Sequence, residues 1–278
     1  MANSSHTING VSFLRHILYK MDMNYFDAEK TRDNLVEWIR NWFEQNGKDK
    51  RAVIGISGGK DSTIVAGLCV RALGKERVLG VLMPNGDQKD IRDSYRVCEA
   101  LDIDHIVVNI GATYNTIAEE IETSLNMKNI ATNLSEQTLI NITPRLRMTT
   151  LYGVSQTVGG RVVNTSNLSE AKVGYFTRWG DECGDMKPLV NLTKSEVVAI
   201  GKTMTEIPID LIEKTPSDGL SEQSDEEKIG FSYDNLDKYI RNQKDDIPQD
   251  IINKIVDRMN SVAFKLVPVN CFFPTMNK

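Results

Sequence analysis

Residues 55–63 read Gly55-Ile56-Ser57-Gly58-Gly59-Lys60-Asp61-Ser62-Thr63, and they stand between two apolar segments of different period. Arg51 to Ile56 is a short aliphatic run bounded by turn residues, as a buried strand is, while Ser62 to Leu73 carries Leu68 and Leu73 and stops at Gly74, as a helix does. A glycine-rich turn from strand to helix aims several backbone N–H groups and a helix N-terminus at one point, which suits phosphate or pyrophosphate. Two adjacent glycines alone would mark only a tight turn. The hydroxyls of Ser57, Ser62 and Thr63 and the carboxylate of Asp61 shift the balance. An acid beside a phosphate cradle is repulsive unless a cation lies between them, so Asp61 points to Mg²⁺. The turn is not a Walker loop, because Asp61 follows Lys60 where Ser or Thr is required, and it lacks the G-x-G-x-x-G spacing of dinucleotide folds.

Outward from this turn the periods keep alternating. A helix opens at Thr31 with Leu35, Ile39, Trp42 and Phe43 on one face, ahead of the first strand. After it come a strand at Arg77–Met83, a loop at Pro84–Asp87, a helix at Ile91–Leu101 and a strand at His105–Ile110. Strand and helix alternating across short loops predict an α/β fold, a parallel β-sheet flanked by helices on both faces. Thr143-Pro144 reads as N-cap and first position of a helix that ends at Gly159-Gly160, followed by a fourth strand at Arg161–Thr165. Thr193 to Glu196 is a capping box opening a helix to about Thr205, and Pro208 stops it from running on. Thr215–Gly219 has loop composition, and helices are predicted at Tyr233–Arg241 and Pro248–Lys265. Residues 1–22 form a polar arm without a period, so one domain is expected over 23–278.

Composition narrows the function classes. The chain has 278 residues, 40% of them hydrophobic, which suffices for a core without disulfides or metal staples. A net charge of −5 argues against nucleic acid as the main partner. No apolar run approaches the roughly 18 residues of a membrane helix, and Val11–Leu18 is broken by Arg15 and His16, unlike a signal peptide. Cys69, Cys98, Cys183 and Cys271 are widely spaced, without a C-x-x-C pair, as in reduced cytoplasmic proteins. His6, His16 and His105 are scattered, so neither a zinc site nor a Cys–His couple is indicated.

The run Ser57-Gly58-Gly59-Lys60-Asp61-Ser62 resembles the pyrophosphate loop of N-type ATP pyrophosphatases, which cleave ATP between its α and β phosphates. Alone it does not choose among NAD synthetases, GMP synthetases, asparagine synthetases and tRNA-modifying enzymes. Further segments, in order, are similar to ammonia-dependent NAD synthetases: Arg145-Leu146-Arg147-Met148, Gly174-Tyr175-Phe176-Thr177-Arg178-Trp179-Gly180-Asp181, Pro188-Leu189, Leu192-Thr193-Lys194, and the stretch from Asp225 to Asp234. The resemblance runs from about Phe26 to Pro268 and implies an adenine nucleotide alpha hydrolase-like, Rossmann-like fold. It implies an ATP site of Gly55, Ile56, Ser57, Gly58, Gly59, Lys60, Asp61, Ser62, Gln88, Thr165, Lys194 and Ser217, with Asp61 and Glu170 on Mg²⁺. For deamido-NAD it implies Arg145, Asp185, Arg178, Phe264 and Lys265, and Tyr152 stands on the Arg145 helix as an aromatic platform. Two positions depart from the pattern. Arg178 replaces a Lys, and Phe264 stands where His is common.

The implied reaction is amidation of deamido-NAD by ammonia with ATP, through an adenylate, giving NAD, AMP and pyrophosphate. It asks for alignment and charge neutralisation rather than a covalent nucleophile. Asp61 and Lys194 are its expected catalytic residues, and Asp181 is placed to deprotonate ammonium. The pyrophosphate loop begins by residue 57, too early for a preceding glutamine-amidase domain. The resemblance implies a homodimer with deamido-NAD across the contact, for which Trp38, Trp42, Phe43 and the 144–158 helix are candidate surfaces. A GMP synthetase ATPase subunit and a nucleotide-binding regulator without turnover are the alternatives.

Overall fold

Four short segments form a wholly parallel sheet in the order β3-β2-β1-β4: β1 (Ala52–Gly55), β2 (Val78–Leu82), β3 (Asp104–Val107) and β4 (Arg161–Val162). The computed structural model describes residues 26–88, 91–214, 225–269 and 271–272. The arm at 1–22 and Ser217 lie outside the described residues.

Around the sheet run α1 (Ala28–Asn46), α2 (Lys60–Leu73), α3 (Ile91–Ala100), α4 (Gly111–Met127) and α5 (Glu136–Val158). After β4 come α6 (Leu168–Lys172), α7 (Lys194–Lys202), α8 (Ile209–Glu213), α9 (Asp225–Ile229), α10 (Tyr233–Ile240) and α11 (Gln249–Leu266). Strand side chains alternate between faces, and this decides the layers. Ala52, Ile54, Val78 and Leu82 enter one core with Ile39 and Phe43 of α1, Leu68 of α2 and Ile200 of α7. Val53, Leu79 and Val81 enter a second core with Met148 and Leu151 of α5. Both faces are therefore covered at β1 and β2, as their apolar runs require, whereas the edge strand β3 is exposed at all four residues. Each fully buried Ile or Leu contributes roughly 1.5–3 kcal/mol of transfer free energy. A third cluster, under α9 to α11, holds Val173, Tyr233, Leu236 and Ile255.

The order of strands places the functional end. From β1 the chain goes to β2 and β3 on one side, then returns to β4 on the other. The strand order thus reverses at β1/β4, and in open α/β sheets ligands bind beyond the carboxyl ends of strands at such a switch point.

Several expectations are corrected. The helix expected to open at Thr143-Pro144 starts at Glu136, capped by Ser135, whose side chain accepts from the Thr138 N–H. Thr143 is buried and its hydroxyl accepts from Asn85 Nδ2 at 3.2 Å instead of capping. Pro144 lies inside the helix, and Gly180 packs so closely on it that a Cβ there would meet Pro144 at 3.1 Å. Arg145 is consequently mid-helix, not at a helix N-terminus. The fourth strand is cut to Arg161–Val162 because Asn164 turns inward, donating from Nδ2 to the carbonyls of Asp181 and Cys183 at 2.8 and 2.9 Å. Helix α4 has no counterpart in the sequence reading. The capping box stands as expected: the Thr193 side chain accepts from the Glu196 N–H, and Glu196 accepts from the Thr193 N–H. Phe43 is core, 1% exposed, Trp42 packs partly buried against that core, and Trp38 is exposed.

Candidate active site

Beyond the ends of β1 and β4 opens a cleft of about 1140 Å³. One wall is the turn of residues 55–62. Ser57 N–H and Oγ both meet Ser62 Oγ, at 3.3 and 3.1 Å, and Ser57 Oγ accepts from the Gly59 N–H at 3.2 Å. These bonds fix the loop before any ligand arrives. Gly58 has φ 76°, and a Cβ there would meet Asp93 Cβ at 2.8 Å, so the close approach of α3 demands glycine.

Four charged groups meet on this wall. Lys60 and Asp61 come from the start of α2, Glu170 from α6 after β4, and Lys194 from the first turn of α7. All four line the cleft. Asn167 ties the two acids together: its Oδ1 caps α6 by accepting from the Glu170 N–H at 3.0 Å, and its Nδ2 donates to Asp61 Oδ1 at 3.2 Å. The Lys194 ammonium is buried, 3.4 Å from Glu170 Oε1 and 3.5 Å from Asp225 Oδ2, and 3.6 Å above the centroid of the Tyr233 ring. Such an enclosure offsets the cost of burying an ammonium. Burial pushes Lys60 down from its ordinary pKa, and the charge of Lys194 pushes the same way against Asp61, Glu170 and Asp225. Desolvation and then the neighbouring charge of Asp61 push the Glu170 carboxyl up to about 7, against the pull of Lys194.

The donor set fits a divalent cation. Two neighbouring carboxylates, each costly to keep charged beside the other, are what Mg²⁺ uses when substrate phosphates supply the remaining ligands. Among the described residues no three His, Cys, Asp or Glu side chains gather into a protein-only cage.

Across the cleft, Asp181 Oδ1 accepts from the Thr177 N–H at 2.9 Å. Its carboxyl is ringed by protein though its edge opens to the cleft, and desolvation holds it above the usual aspartate range. Lys265 reaches the same cleft and donates to the carbonyls of Gly174 and Phe176 at 2.9 and 3.1 Å. Gly174 has φ 61°, and a Cβ there would meet Val262 Cβ at 2.6 Å, so only glycine lets this loop lie on α11. Gln88 and Thr165 line the cleft as well.

The remaining expected residues are not gathered there. Arg145 is exposed, its Nε donating to the Arg178 carbonyl at 3.3 Å, and Arg178 stacks 4.9 Å from the Trp179 ring centroid. Tyr152 Oη donates to Asp185 Oδ1 at 3.4 Å, and Asp185 Oδ2 accepts from the Val162 N–H at 2.8 Å, beside β4. Phe264 is exposed and lies outside the cleft lining. Conversely, Asn167, Asp225, Tyr233 and the cleft-lining Arg147 were given no role by sequence reading. Arg147 Nε donates to the Met83 carbonyl at 3.1 Å, and Nη2 meets Gln88 Oε1 at 3.5 Å. The i, i+2 spacing from Arg145 was the available signal, since it puts the two arginines on different helix faces.

Fold and site together define a nucleotide-binding enzyme of the adenine nucleotide alpha hydrolase-like class, its phosphate turn after β1 and its acids at the switch point. The sequence matches the family described as NAD synthase over residues 31–268, and the chain belongs to that family of ligases. It is 39% identical over 219 residues to the NH(3)-dependent NAD(+) synthetase of Pyrococcus furiosus, covering 78% of this chain and 79% of that one. Among solved structures it is similar to NMN synthetase from Francisella tularensis, with TM-score 0.78, 28% identity and coverage of 91% and 100% of the two chains. The NH3-dependent NAD synthetase from Campylobacter jejuni, in complex with the nitrate ion, gives TM-score 0.72 at 26% identity, covering 90% and 100%.

Proposed function

We propose that this chain carries out the family's ATP-dependent amidation of deamido-NAD with ammonia through an adenylated intermediate, on the residues just described. The observation that carries the reading is the meeting of Lys60, Asp61, Glu170 and Lys194 beside a preformed phosphate turn. ATP seats its β and γ phosphates in the turn of residues 57–62, with Lys60 and Lys194 neutralising their charge, and Gln88, Thr165 and Ser217 contact the nucleotide. Asp61 and Glu170 would hold Mg²⁺, which supplies charge neutralisation between the acids and the phosphates. The nicotinate carboxylate of deamido-NAD attacks the α-phosphorus and pyrophosphate leaves. Ammonia then attacks the acyl carbon and AMP departs with the bridging oxygen. Asp181 takes the proton that ammonium must lose, a task suited to a carboxyl raised above its ordinary range.

For deamido-NAD we assign Arg145 and Arg178 to its anionic groups, Tyr152 and Phe264 to its rings, and Asp185 and Lys265 to polar contacts. These residues are dispersed within one chain, and that supports a homodimer with the dinucleotide across the contact. A surface open to such cover is the α4–α5 hairpin: of α4 only Gly111 is buried, and Ile117 and Ile140 are 39% and 38% exposed. It replaces Trp42 and Phe43, which pack inward, as the dimer surface. Among the described residues no helix is long and apolar enough to cross a membrane, and the cytoplasm is the compartment we assign.

The test is to incubate the pure chain with ATP, Mg²⁺ and ammonium, offering deamido-NAD or nicotinate mononucleotide in parallel. NAD, AMP and pyrophosphate in equal amounts are expected from deamido-NAD. A preference for the mononucleotide would overturn the dinucleotide assignment, and ADP with phosphate would overturn the pyrophosphatase mechanism.

A further inference from the structure

Asp237 is a buried carboxylate with no part in the chemistry proposed above. It lies on α10, outside the lining of the cleft, and three donors converge on it. Its Oδ1 accepts from the Ser169 hydroxyl, and its Oδ2 accepts from the Ser195 N–H at 2.8 Å and the Ser195 hydroxyl at 2.6 Å. Ser169 Oγ in turn accepts from the Lys194 N–H at 3.0 Å. Each serine is the chain neighbour of a charged group on the cleft wall: Ser169 precedes Glu170 in α6, and Ser195 follows Lys194 in α7. One carboxylate from a third segment thus grips both helix starts from behind, and in front of it Lys194 Nζ stands 3.4 Å from Glu170 Oε1.

Capping alone does not call for a charge here. The start of α7 already has its capping box of Thr193 and Glu196. A carboxylate buried among hydrogen bonds, with no cation against it among the described residues, is costly to keep. What the charge secures is direction. An ionised carboxylate only accepts, so Ser169 must donate to it and is left to accept from Lys194. An amide in its place would turn an N–H toward Ser169 and compete with Lys194 for the same oxygen. We propose that Asp237 is a positioning residue for the phosphate end: it fixes the first turn of α7 onto that of α6, and so sets Lys194 against Glu170, without touching substrate. The inference rests on the reading of Lys194 as a phosphate-binding group.

The test measures ATP binding to the full chain by calorimetry with Mg²⁺ present, alongside the KM for deamido-NAD and the melting temperature. Wild type, Asp237→Asn, Lys194→Ala and the double variant form one cycle. Asp237→Asn is expected to weaken ATP binding about 10-fold or more, as a small misplacement of a binding group does, with the KM for deamido-NAD within about twofold of wild type. In the Lys194→Ala background the same change should cost less than about twofold, since the group it places is gone. Equal losses in both backgrounds would overturn the inference, because Asp237 would then act elsewhere than through Lys194. So would an Asp237→Asn affinity for ATP within about twofold of wild type. A fall in ATP binding matched by the KM for deamido-NAD, together with a lower melting temperature, would overturn it too and make Asp237 purely structural. Lys194→Ala binding ATP as wild type does would instead overturn the phosphate reading of Lys194. Should Asp237→Asn fail to fold, Ser169→Ala cuts the same chain between the carboxylate and the Lys194 N–H and is held to the same outcomes.

Discussion

The two ends of the cleft are built differently. The phosphate end is closed within one chain: its lysines and acids are largely buried, and Asn167, Asp225 and Tyr233 hold them from behind. The end assigned to deamido-NAD is open. Arg145 and Trp179 are exposed, Tyr152 and Asp185 pair elsewhere beside β4, and of the six residues assigned to this substrate Lys265 lines the cleft. A site proposed to neutralise the phosphates of ATP in fixed geometry is worth preorganising. A site that admits a long substrate between two surfaces can be left in halves. Damage to the first should therefore appear in turnover, and damage to the second in substrate affinity.

The largest effect is expected for Asp61→Asn. Removing one charge between cation and phosphates should lower kcat roughly 10²-fold or more, with the melting temperature unchanged. Near-normal turnover at saturating Mg²⁺ would take Asp61 out of the chemistry. Next in size is Arg145→Ala, which should raise the KM for deamido-NAD roughly 10- to 150-fold while that for ATP barely moves, from loss of a charge-assisted contact of about 1.5–3 kcal/mol. Lysine should restore only part of this, because the planar fork is lost. If both KM values rise together, the two ends are not separate.

The phosphate end should also titrate. Glu170 has a folded pKa of about 7, above the ordinary 4.5. The folded state thus binds more protons than the unfolded one between these values, so this group's contribution to stability falls as pH rises through that window. Cation binding needs the carboxylate and runs the other way: below pH 7 the apparent affinity should fall by up to about tenfold per pH unit, and it should level off above. Glu170→Gln should bind weakly at every pH, and a wild-type profile flat from pH 5.5 to 8 would contradict the assignment. The smallest effect belongs to Phe264→Ala. Its ring is 61% exposed, so a few-fold rise in the KM for deamido-NAD is expected, with stability altered by no more than about 0.5 kcal/mol. A large loss of affinity would show that the open end is more preorganised than its exposure suggests.

The legible parts of the molecule were those where one local pattern has one physical solution. β1 and β2 are unbroken aliphatic runs, which only a doubly covered strand can bury, and Thr193–Glu196 can close its capping box in only one way. Asp61 stood out as a carboxylate in a glycine-rich turn, and it does lie on the cleft wall with Lys60, Glu170 and Lys194. The start of α5 was misread because Thr143-Pro144 satisfies the local rules for a helix start, while the actual cap, Ser135, lies eight residues upstream. Helix α4 was missed: its stripe of Tyr114, Ile117, Ile121 and Leu125 is weakly buried and interleaved with polar residues. Asp225 and Tyr233 were illegible for another reason. Each is ordinary in its own segment, and only the fold brings them to Lys194, 31 and 39 positions earlier in the chain.

The most direct measurement follows the carboxylate oxygens. Deamido-NAD labelled with ¹⁸O in both nicotinate carboxyl oxygens should, on turnover with ATP and ammonium, transfer one labelled oxygen to each AMP formed and none to pyrophosphate. That distribution requires attack at the α-phosphorus and an acyl-adenylate, the chemistry proposed for the turn, the acids and the lysines. Label in phosphate or pyrophosphate, or NAD formed with unlabelled AMP, would contradict it.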